Sequence, residues 1–99
     1  LELSFDALFP ENPDTLPRGE APLPSELERV ADILDAIAEA GGLAPADLRG
    51  TESVALLSHL LSLYALTPPR YLVILAASAA GSPVRQNLER VRLICRPFG

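Results

Sequence analysis

Cys95 and His59 are the only cysteine and the only histidine in this chain of 99 residues. Together they could make a nucleophile and its base, provided the imidazole lay beside the thiol and a third group oriented it. Their contexts argue otherwise. Cys95 extends the apolar stripe Val84, Leu88, Val91 at helical spacing, where a thiol serves as a small buried hydrophobe. His59 sits at the edge of a leucine-rich segment, between Ser58 and Ser62, and reads as a satisfied or surface imidazole. A single cysteine excludes an internal disulfide and a cysteine-based structural zinc site. His, Cys and carboxylates never fall at metal-ligand spacing, and no Gly-rich loop follows a strand to cradle a phosphate. The expectation is a non-enzymatic chain with no catalytic, cofactor-binding or metal-binding residues.

The charged residues are more informative. Residues 1–50 hold 11 acids and 3 arginines, whereas residues 51–99 hold 2 acids and 5 arginines, within a net charge of −5. Glu28, Asp32, Asp35 and Glu39 recur at i, i+4, i+7 and i+11, which places them on one ridge of a helix. Arg85, Arg92 and Arg96 recur with Glu89 at the same spacing near the C-terminus. Such ridges are commonly solvated faces. Their functional reading is complementary pairing, within one molecule or between two, which steers association and sets register. The arginine ridge also sustains an alternative, a regulatory module touching nucleic acid, although the acidic balance of the chain disfavours it.

Apolar clusters supply further candidates. Phe5, Leu8 and Phe9 in FDALF fall at i, i+3, i+4 beside acids, the pattern of a short induced helix seated in a groove. The groove would belong to the same chain or to another. Leu57-Ser58-His59-Leu60-Leu61 matches LxxLL, but a leucine-rich core helix produces that pattern without presenting it. Residues 66–99 open LTP, close with Cys95 and Gly99, and so resemble in length and ends a single TAL-effector DNA-binding repeat. Ala79-Ala80 stand where that family has Gly-Gly, and no second copy accompanies it, although repeats of this type need neighbours. No family is assigned.

These side chains must be positioned by helices. Residues 1–24 hold five of the ten prolines, so they read as an extended Pro-rich arm. Residues 25–99 read as a helical bundle domain. Ser25 with Glu28 resembles a capping box that opens a first helix, which should end near Ala40 at Gly41-Gly42. Its apolar face is Leu27, Val30, Leu34 and Ile37, flanked by Ile33 and Ala38. One short helical turn follows Pro45, and Thr51 opens a second long helix to about Leu66. Thr67-Pro68 opens a third to about Gly81, and Ser82-Pro83 a fourth that ends before Pro97. The fold class is all-α: four main helices plus one short helix.

An apolar content of 48% with positive mean hydropathy excludes wholesale disorder. Several further expectations follow. The second and third helices are apolar nearly all round, which predicts central positions with some apolar surface left over for a partner. The absence of an opening Met suggests an excised or processed product. Glu2 and Asp6 stand where a secretory leader would be cationic, and no apolar run reaches membrane-spanning length. The chain therefore reads as soluble and intracellular. It reads as an adaptor or oligomerisation domain for a protein partner or a second copy, without membrane contact.

Overall fold

A computed structural model describes residues 9–10, 15–43 and 50–95, and these are mostly helical with no strand among them. The helices are α1 (Pro24–Leu43), α2 (Gly50–Leu63), α3 (Pro68–Ala77) and α4 (Pro83–Cys95). The expected short turn after Pro45 lies outside the described residues.

Each helix start follows from local chemistry. Leu23 is the N-cap of α1, since its carbonyl accepts the first turn's bonds from Glu26 and Leu27. The reciprocal bond comes from Glu26, whose Oε1 accepts the Leu23 N–H at 2.9 Å. The expected Ser25–Glu28 capping box is thus replaced by a cap two residues earlier, because Pro24 is preorganised for the first helical position and needs no donor partner there. Thr67 caps α3, its hydroxyl accepting from the Arg70 N–H at 3.3 Å. Ser82 does the same for Arg85 at the start of α4, at 3.2 Å.

Three helix ends differ from expectation. α1 continues through Gly41-Gly42 to Leu43, because glycine permits a left-handed cap without compelling one. α2 stops at Leu63, three residues early. Ala65 adopts φ +57°, and the amides of Ala65 and Leu66 bond back to Ser62 and Leu61 in a Schellman arrangement. That turn swings Leu66 into the core, and the axes on either side of the break bend by 95°. α3 ends at Ala77, four residues early, where the Ser78 hydroxyl donates to the Ile74 carbonyl at 2.8 Å. Arg85 Nη2 takes the carbonyls of Leu75 and Ser78. A cation from the next helix therefore satisfies the helix end.

The core is one cluster. α1 contributes Val30, Ile33, Leu34, Ile37 and Ala38, α4 contributes Val84, Leu88 and Val91, and α3 contributes Tyr71, Ile74 and Leu75. Among the described side chains of α2, Leu57 and Leu61 alone are fully enclosed. The tightest packing joins the two amphipathic helices, α1 and α4. These run in the same direction: Leu27 and Ala31 lie against Pro83 and Val84, and Asp35 lies near Arg90 further along. The expectation that the most apolar helices are central is corrected here. In a domain this small every helix has a face on solvent, so no element is surrounded.

The segment before α1 packs on the helices. Phe9 is a core residue, and its neighbour Pro10 accepts from Arg92 Nη1 at 2.9 Å through its carbonyl. Leu16 packs on the same cluster. Gly19 passes so close to α3 that a Cβ there would stand 3.1 Å from Val73 Cγ1.

Candidate functional site

The acidic ridge of α1 faces outward as its period dictates. The inward positions Val30, Ile33, Leu34 and Ile37 leave Glu28, Asp32, Asp35 and Glu39 on the exposed side. Asp35 meets Arg90 Nη1 at 4.0 Å, with both side chains more than half exposed. Glu28, Asp32 and Glu39 make no ion pair or side-chain hydrogen bond. The surface is therefore a line of largely uncompensated carboxylates.

The expected arginine ridge is used differently. Arg85 caps α3, and Arg92 ties the N-terminal segment to α4 through Pro10. Arg96 lies outside the described residues. The guanidinium that approaches the acidic ridge is Arg90, which the ridge pattern did not single out. Its signal was available in the sequence only as one more arginine on α4; pairing it with Asp35 needs the parallel packing of α1 and α4.

Phe5 and Leu8 also lie outside the described residues, while Phe9 is enclosed by its own chain. In the LxxLL segment Leu57 and Leu61 face the core and Leu60 is half-buried. His59 is exposed on α2. The α4 stripe Val84, Leu88 and Val91 is buried; the side chain of Cys95 is not among those described. Among the described residues no group of three or more His, Cys, Asp or Glu could hold a metal ion.

Sequence reasoning missed a second charged site. Arg70 meets Glu26 in a fork, Nε to Oε2 at 2.8 Å and Nη2 to Oε1 at 2.6 Å, and its Nη1 reaches the Glu20 carbonyl at 3.2 Å. These bonds join the start of α3 to the start of α1 and to the segment before it. The Arg70 hydrogen bond, followed by the Leu23 amide, brings the Glu26 carboxyl down to about 2. Arg70 is raised in turn by its bond to Glu26.

Two surface features remain for recognition. On α2, Leu56, Leu60 and Leu63 fall at i, i+4, i+7. The first two are half-buried, and Leu63 is 65% exposed. Between the first turns of α1 and α4 lies a groove of about 160 Å³ lined by Leu27, Glu28, Ala31, Ser82, Pro83 and Val84. No single helix among the described residues is long and apolar enough to cross a membrane. No protein-family model, curated protein or solved structure matches this chain.

Proposed function

We propose that this chain is a non-enzymatic protein–protein interaction domain, a small helical bundle with an extended Pro-rich arm that serves assembly or dimerisation. One observation carries the reading. Leu57 and Leu61 of α2 face inward and Leu56 and Leu60 pack half-buried on the rim of the same core, while Leu63 stands 65% exposed beside them. An apolar stripe that runs past the core onto the surface favours a protein partner. A second copy of the chain is the simplest occupant. The unpaired acids Glu28, Asp32 and Glu39 add a charged element that would set orientation.

Sedimentation across a concentration series tests this. The expected result is reversible self-association of the native chain, abolished in the exposed-site variant Leu63→Glu with helicity retained. A strictly monomeric native chain at high concentration overturns the self-association. Ridge pairing between copies is tested by Asp32→Arg with Asp35→Arg. Arg90→Glu is the partner reversal to combine with it, since Arg92→Glu would also remove the bond to Pro10. Loss of assembly in each half and recovery in the combination supports pairing; silence in each half ends it. If the chain instead binds nucleic acid through Arg85, Arg92 and Arg96, its affinity for a duplex should fall log-linearly with salt.

A further inference from the structure

We propose that the groove between the first turns of α1 and α4 is a docking site for a cationic helical segment bearing one bulky apolar side chain. The inference rests on the reading of the chain as an interaction domain and goes beyond it by naming the partner's chemistry.

The groove exists because α1 and α4 run in the same direction while Ala31 is small. Further along their seam Leu34 and Leu88 are fully buried; at the N-terminal end Ala31 leaves Leu27 half-buried and Pro83 exposed at the walls, with the buried Val84 beneath them. Its volume, about 160 Å³, is that of a site for one ring or one leucine; an apolar cavity of ~150 Å³ takes up benzene. The polar lining asks for nothing from an apolar guest. The Ser82 hydroxyl already accepts the Arg85 amide, and the Glu28 carboxylate stands at the lip in solvent.

Charge identifies the guest. From Glu28 the ridge continues along α1 through Asp32 and Asp35, roughly 6 and 10 Å further on at 1.5 Å per residue. Glu28 and Asp32 have no cationic partner, and Asp35 has only the 4.0 Å exposed approach of Arg90. Arg85, nearest to the groove along α4, is turned to the carbonyls of Leu75 and Ser78. A helix laid along α1 with its apolar anchor in the groove would bring cations four and seven residues on to Asp32 and Asp35. An acidic or neutral segment would meet carboxylates without compensation.

The probe is a labelled alanine-based helical peptide with one central leucine and arginines four and seven residues beyond it. Its controls replace the leucine by alanine or the arginines by glutamate. Fluorescence anisotropy should show binding of the first peptide only, weakening as salt is raised. Glu28→Arg/Asp32→Arg changes exposed side chains and should weaken binding about tenfold or more. Ala31→Phe fills the groove and should abolish binding, with folding followed by circular dichroism. Binding of all three peptides alike, no binding of the arginine peptide, or unaltered binding in the charge-reversed protein overturns the proposal. A native dimer that Ala31→Phe converts to monomer identifies a second copy as occupant and also overturns it. Leu63→Glu changes an exposed side chain outside the groove and should leave peptide binding intact, so failure of the α2 interface and failure of this site are read separately.

Discussion

The guanidinium of Arg70 reaches Glu26 through two hydrogen bonds of 2.8 and 2.6 Å, and Glu26 in turn holds the Leu23 amide at 2.9 Å. One carboxylate thus closes a helix start and receives a cation 44 residues away. Its carboxyl lies near 2 instead of the ordinary 4.5, so the folded state favours the charged form. The stabilisation is complete above the ordinary value and is lost as pH falls from about 4.5 through about 2. Acid titration followed by circular dichroism should show Glu26→Gln less sensitive than the native chain over that window, and less stable at neutral pH. Arg70→Ala should remove most of the same pH dependence. Burial pushes the Tyr71 phenol in the opposite sense, above its ordinary 10. Stability should therefore fall as pH rises beyond 10, because the unfolded chain releases that proton first. Tyr71 lies on a helix that is apolar nearly all round in the sequence. The Glu26–Arg70 fork had no sequence signal, since charge order along the chain carries no information about which helix starts converge.

At the scale of elements, the starts of α3 and α4 were legible, whereas the start of α1 and the ends of α1, α2 and α3 were not. Thr67-Pro68 and Ser82-Pro83 combine a side-chain acceptor with a preset φ inside one short stretch, so the sequence alone suffices. Thr67→Ala should cost about 1 kcal/mol in chemical denaturation. The α2 end depends instead on Ala65 at φ +57°, a conformation for which alanine gives no local signal. A non-glycine residue there carries a cost of about 1–2 kcal/mol, partly offset by the larger unfolded-state entropy of glycine. Ala65→Gly is expected to raise stability by about 0.5–1 kcal/mol without altering helicity. Gly81, at φ +86° in the turn before α4, should respond in the opposite direction, Gly81→Ala losing about 1 kcal/mol. Equal effects of the two substitutions would contradict these backbone assignments. The α3 end is tertiary in origin, since Arg85 on the following helix supplies the donors for its last carbonyls.

For the whole molecule, the segment before α1 matters to stability through two kinds of contact. Phe9 is buried in the core, and Arg92, Arg70 and Val73 hold the backbone at Pro10, Glu20 and Gly19. Phe9→Ala should cost about 3–5 kcal/mol, and removal of residues 1–9 should lower the melting temperature with it. Equal melting of the truncated and native chains would mean that Phe9 adds nothing to the core. The sequence by itself determined the all-α class, the starts of α3 and α4 and the inward faces of α1 and α4, because periodicity and capping are local properties of the chain. Tertiary structure decided which helices pair. It ran α1 and α4 in parallel, took Arg85 and Arg92 for backbone carbonyls, and left Leu63 of α2 exposed. The physical reason is that an apolar stripe specifies burial without naming what covers it, and an arginine specifies a charge without naming its acceptor. Both are settled only when the helices share one small core.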